Sequence, residues 1–150
     1  MYQKNRGITI VALVITIIIM LILVGVSITI GTNVINKSQQ EDIKTNMLSI
    51  QGKAMTIGEK NSFDPDNNSL VGTRITDKST LSNGLQNELN SSDAYYQWSS
   101  DDLNNQGLGT IKTSSSEFYI VDYNNNEVFY SLGVNVNGTT YYSLSDLKDQ

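Results

Sequence analysis

The 150-residue chain contains no cysteine and no histidine, and proline occurs once, at Pro65. Without thiols or imidazoles there are no disulfides, no cysteine nucleophiles, no histidine bases and no zinc sites of the ordinary type. Any folded part must therefore be held by packing alone. Charge is missing from one long stretch: residues 8–30 carry none, and no acidic residue occurs before Glu41. Beyond residue 30 the balance reverses, with eight Lys and Arg against fifteen Asp and Glu. That acidic excess argues against gripping nucleic acid, which requires clustered cations along a phosphate backbone. The mean hydropathy of -0.24 averages two dissimilar parts and describes neither.

The uncharged run dominates what is present. Sixteen of its 23 residues are Ile, Leu or Val. As a helix it would be about 35 Å long, enough to cross a hydrocarbon core of about 30 Å. Each of those sixteen favours insertion by roughly 0.3 to 0.6 kcal/mol. In water the β-branched residues lean towards strand. Lipid overrules that leaning, because a lone strand leaves its backbone unpaired and a helix does not. The hydroxyls of Thr9, Thr16, Ser27 and Thr29 are expected to turn back onto helix carbonyls. Lys4 and Arg6 should stay cytoplasmic, placing everything after residue 30 outside.

Secretory signals have a shorter apolar core and a small-residue cleavage site after it. Here the notable junction precedes the run, at Lys4-Asn5-Arg6-Gly7 followed by Ile8-Thr9-Ile10-Val11-Ala12-Leu13-Val14. From Lys4 to about Val26 the sequence resembles the class III signal of type IV prepilins and type II secretion pseudopilins. The resemblance implies a leader of residues 1–7 ending in Gly7 and cut before Ile8, whose amine would then be methylated. It implies an anchor at 8–30, an exposed continuation of the same helix at 31–60, and an extracytoplasmic domain at 61–150. The expected fold is α+β and pilin-like, with the long helix packed on a small antiparallel sheet. The implied partners are other pilin-like subunits, a prepilin peptidase, an assembly ATPase with its platform protein, and membrane lipid. No cofactor, metal or catalysis is implied.

One position departs from the family pattern. Where it carries a glutamate five residues into the mature chain, this sequence has Ala12. That carboxylate is thought to pair with a neighbouring subunit's N-terminal ammonium, since a buried charge is tolerable only when partnered. Members without it include some minor subunits at filament tips and some pilin-like proteins of Gram-positive anaerobes. Ala12 therefore points to a minor or atypical subunit. Two other readings share this architecture: an uncleaved single-span protein that binds something at the cell surface, and a DNA-uptake pseudopilin with a basic strip around Arg74 or Lys112.

Further along, Ile43, Met47, Ile50, Ala54 and Ile57 recur at helical spacing and form one apolar face. Gly58, Asn61 and Pro65 mark the expected helix end. A short strand near Leu70–Ile75 and a short helix over Leu81–Leu89 are expected next. Tyr95, Tyr96 and Trp98 are expected to anchor a core more than to stack on a ligand. Ser99 or Ser100 should cap a helix through Leu103 that ends at Gly107. Four strands follow: Glu117–Tyr123, Val128–Leu132, Val134–Val136 and Thr139–Leu144, the last pair joined by the turn Asn137-Gly138.

Candidate ligand sites read as ordinary structure. Asp64-Pro65-Asp66-Asn67-Asn68 opens like a calcium loop, but the sixth position is Ser69 and the twelfth Ile75, which breaks the pattern. Asp122, Asn124 and Asn126 suit a hairpin turn. Asp101 and Asp102 diverge on a helix and suit its N-terminus.

Overall fold

The computed structural model describes the backbone of residues 6–67 and 69–150, and the side chains of 10–22, 37–67 and 69–150. The chain is α+β. Helix α1 runs Arg6–Phe63, followed by a 3-10 turn at Pro65–Asn67 and strand β1 at Thr73–Arg74. Next come a second 3-10 turn (Lys78–Thr80), α2 (Asn83–Glu88), β2 (Tyr95–Trp98) and α3 (Ser100–Asn105). The chain closes with β3 (Tyr119–Asp122), β4 (Glu127–Val136), β5 (Thr139–Ser143) and α4 (Leu144–Lys148). The strands form one antiparallel sheet in the order β1-β2-β3-β4-β5. Each strand thus pairs with its sequence neighbour, the meander that short connections favour. By compactness the chain divides into Met1–Gln39 and Gln40–Gln150.

In the second unit the expected apolar face of α1 is the one that packs. Met47, Ile50, Ala54 and Ile57 are buried in the main core, and Ile43 packs against it. Each large side chain placed there contributes about 1.5–3 kcal/mol relative to exposure. α1 ends at Phe63, within the expected span from Gly58 to Pro65. Gly58 keeps helical geometry beside Tyr123, whose Cδ1 would sit 3.6 Å from an added Cβ. Pro65 ends the helix, because the residue before a proline is pushed out of α conformation.

The sheet is covered on both faces, so its strands alternate between two apolar clusters. Tyr119 and Val121 of β3 and Val128 and Tyr130 of β4 point into the main core, with Trp98, Leu103, Ile111, Leu144 and Leu147. Ile120 and Phe129 point the other way, onto Leu81, Leu85 and Leu89 of the α2 segment and onto Tyr95. Tyr95 meets Phe129 edge-on at 5.9 Å. Period two in the strands and period four in α2 thereby build the second layer.

Two differences from expectation have clear causes. Val128–Leu132 and Val134–Val136 belong to one strand, β4, rather than two. Its pairing with β5 shifts between Phe129 and Val134, where Gly133 takes φ +68°. An added Cβ at Gly133 would lie 2.5 Å from Thr140 Cγ2, so glycine lets β5 approach there. The second difference is α4, where Thr139–Leu144 is expected to be strand throughout. Ser143 accepts a hydrogen bond from the Asp146 backbone N–H and turns the chain into a helix that buries Leu144 and Leu147.

The β4–β5 turn is the expected one, with Asn137 at φ 52° and Gly138 at φ 91°. α3 has a full capping box, with Ser99 Oγ accepting from the Asp102 N–H and the Asp102 carboxylate accepting from the Ser99 N–H. It ends in a Schellman motif: Gly107 N–H donates to Asn104 O and Leu108 N–H to Leu103 O, with Gly107 at φ 77°. Tyr123 fastens the loop before β1 to the sheet. Its hydroxyl donates to Val71 O (2.7 Å) and accepts from Val71 N (3.1 Å) and Trp98 Nε1 (3.2 Å).

Candidate functional site: an apolar helix and an acidic cavity

Of the residues that carry the signal resemblance, Lys4 lies outside the described residues. Arg6, Gly7 and Ile8 form the first turn of α1, and the side chains of Arg6 and Ile8 also lie outside the described residues. Ala12 is exposed on the helix surface.

From 10 to 22 every described side chain is exposed, including eleven large apolar ones that range from Val14 at 48% to Met20 at 70%. They occupy all sides of the helix rather than a stripe. A soluble helix buries one apolar stripe and turns polar residues outward. Exposed apolar surface of this extent marks a site of contact with protein or lipid. Thr16 Oγ1 donates to Leu13 O at 2.7 Å, so its hydroxyl is satisfied within the helix, as expected. Among the described residues no helix is long and apolar enough to cross a membrane. Residues 10–22 cover about 20 Å of helix axis at 1.5 Å per residue.

The other candidates from the sequence fall where ordinary structure explains them. Asp64 follows α1, and Pro65 to Asn67 form the 3-10 turn, while Asn68 lies outside the described residues. Asp122 is buried, and its carboxylate accepts from the N–H groups of Asn124 and Asn125 and from Asn125 Nδ2. These bonds, with Asn126 at φ 53°, make the β3–β4 turn. Among the described residues no group of three or more Asp and Glu is placed to hold a metal ion. Arg74 lies on the edge strand β1 and Lys112 in the segment after α3, both exposed.

Sequence reasoning missed a cavity of about 280 Å³ on the α2 side of the sheet. Its lining includes the carboxylates of Glu88, Asp122, Glu127 and Asp146 over the rings of Tyr95 and Phe129. These carboxylates come from four elements and are scattered over almost sixty residues, so no local spacing announces them. Glu127 Oε1 accepts from the N–H groups of Leu144 and Ser145 and so caps α4 from β4. Asp146 Oδ2 accepts from Ser143 Oγ at 2.8 Å. Glu88, at the end of α2, has an enclosed Oε2 without a hydrogen-bond partner. Burial raises the Glu88 pKa, and Asp146 and Glu127 raise it further by repulsion. The backbone N–H groups of Tyr142 and Ser143 pull the other way.

No family model, no curated protein and no solved structure matches this chain, so any functional reading rests on its own residues and geometry.

Proposed function

We propose that this chain is a structural subunit of a type IV pilus-like or pseudopilus filament, and a minor subunit rather than the main building block. A membrane prepilin peptidase removes residues 1–7 after Gly7, and the new amine of Ile8 is methylated. The apolar run then holds the subunit as a single-pass membrane protein, N-terminus cytoplasmic and domain outside, until an assembly ATPase and platform protein extrude it. In the filament, helices of other pilin-like subunits replace lipid around the run. Exchanging lipid for helix is nearly neutral in apolar burial, so helix packing and external work drive assembly.

The observation that carries this reading is the Arg6-Gly7 junction directly before the uncharged run. Two features of the fold support it. Residues 10–22 are helical and apolar on every side. The same helix goes on to supply the packing face of an α+β domain. Ala12 supports the minor role, since the Ile8 ammonium would have no carboxylate at that position to meet in a filament interior.

Co-expression with a prepilin peptidase, followed by mass spectrometry, tests the proposal at its base. Loss of Met1–Gly7 and its prevention by Gly7→Val are expected. An intact N-terminus in both proteins would leave an uncleaved single-span anchor instead.

A further inference from the structure

The cavity beside α4 contains a carboxylate in an unfavourable setting. Glu88 is half-buried as a residue, yet its Oε2 is enclosed and has no hydrogen-bond partner. An ionised oxygen left without a partner costs the full desolvation of that group. The groups around it make the charge harder to hold. Asp146 approaches from α4, Glu127 from β4, and Asp122 lines the same cavity from β3. Tyr95 of β2 lies in the lining, and Tyr142 and Ser143 of β5 offer backbone N–H groups to Glu88. On the outer side Asp93 accepts from Asn90 and Asn125. Two cations of these elements are engaged elsewhere: Lys78 Nζ lies over the Tyr95 ring and donates to Asn90 O, and Lys148 Nζ of α4 donates to Gln51 Oε1. The lining itself contains no Lys or Arg among the described residues.

What these charges meet is the start of α4. This helix has five residues and cannot persist alone, because nucleation costs more than so few bonds return. Its placement depends on Leu144 and Leu147, which it buries in the main core, and on the caps from Ser143 and Glu127. An ionised Glu88 repels Asp146 of this helix and Glu127, which caps its start.

We propose that Glu88 is a proton-operated latch on the C-terminal helix: protonated, it lets α4 stay docked, and ionised, it loosens α4 from the core. Glu88 takes up a proton more readily in the folded domain than in the unfolded chain. Its stabilisation of the docked helix is therefore fully present below the ordinary glutamate value of 4.5 and is lost as pH rises through the elevated folded value. The device makes the end of the domain, residues 144–148, tighter at low pH than at high pH.

The test is amide hydrogen exchange of the full chain in detergent micelles, read by mass spectrometry on peptides covering 144–148. Protection corrected for intrinsic rates is compared at about pH 4, below the ordinary glutamate value of 4.5, and at about pH 7.5. In the wild type, protection of these amides should fall between the lower and the higher pH, while that of Met47–Ile57 should not. Glu88→Gln keeps the shape and removes the charge, so α4 should stay protected at both pH values. Asp146→Asn removes the strongest repelling neighbour and should shrink the pH difference without abolishing it. Equal wild-type protection at both pH values would overturn the latch, and so would a Glu88→Gln profile that keeps the wild-type pH difference.

Discussion

Replacing Tyr123 by phenylalanine should destabilise the folded domain by about 2–4 kcal/mol, although it removes only one oxygen atom and keeps the ring. The magnitude comes from three partners. The Tyr123 hydroxyl uses its whole bonding capacity, one proton and two lone pairs, on Val71 O, Val71 N and Trp98 Nε1. Trp98 is fully buried, so its orphaned N–H has no water to turn to and costs about 1–3 kcal/mol. Val71 is half-buried, and its two backbone groups recover part of their bonding from solvent, adding about 0.5 kcal/mol each. The loss should concentrate in the loop before β1, because Gly72 lies so close to Trp98 that an added Cβ would be 2.8 Å from its Cδ1. Trp98 is the single tryptophan, so urea unfolding followed by its fluorescence reports directly on the affected site. A loss below about 0.5 kcal/mol would refute the reasoning, since it would mean that these three groups find other partners.

Three further outcomes follow from the same structure. Met47→Ala should cost about 2–5 kcal/mol in denaturant unfolding, whereas Leu48→Ala, one residue along α1 and 43% exposed, should stay within about 0.5 kcal/mol. Equal effects would mean that the packing face of α1 is misassigned. Alkaline titration should unfold the domain late and cooperatively. Burial pushes Tyr123 up to about 12 and raises Tyr130 as well, so their stabilisation is complete below the ordinary tyrosine value of 10 and is lost as pH climbs past it. Ultraviolet absorbance of the phenolates should therefore rise together with loss of the fold, and Tyr123→Phe should move that transition. Gly133→Ala should destabilise by about 1–3 kcal/mol, measured by thermal unfolding, because it combines a left-handed φ with a clash on Thr140.

Much of the domain was legible wherever its causes were local. The stripe from Ile43 to Ile57 announces a packed helix because 3.6-residue periodicity is written in consecutive turns. Asn137-Gly138 announces a hairpin because few other residues take two positive φ values in succession. Ser99 and Gly107 announce the ends of α3 through chemistry confined to one helical turn. Misreadings arose where distant residues decide. Gly133 looks like a break between strands, but pairing with β5 absorbs it as an irregularity. The start of α4 looks like strand until Glu127, from β4, caps it. The acidic cavity was invisible for the same reason, since only the folded sheet gathers Glu88, Asp122, Glu127 and Asp146.

The central claim is that the apolar half of α1 exists to be surrounded by helices of like subunits. Because the chain has no native cysteine, single cysteines at Ile15 and Leu21 give unambiguous cross-linking sites on its exposed helical surface. Oxidative or bifunctional cross-linking in the producing cells, with partners identified by mass spectrometry, measures what lies against that surface. The account predicts adducts with pilin-like subunits from both positions, and their loss when Gly7→Val blocks processing. Adducts only with unrelated membrane proteins, or pilin-like adducts unchanged by Gly7→Val, would contradict it.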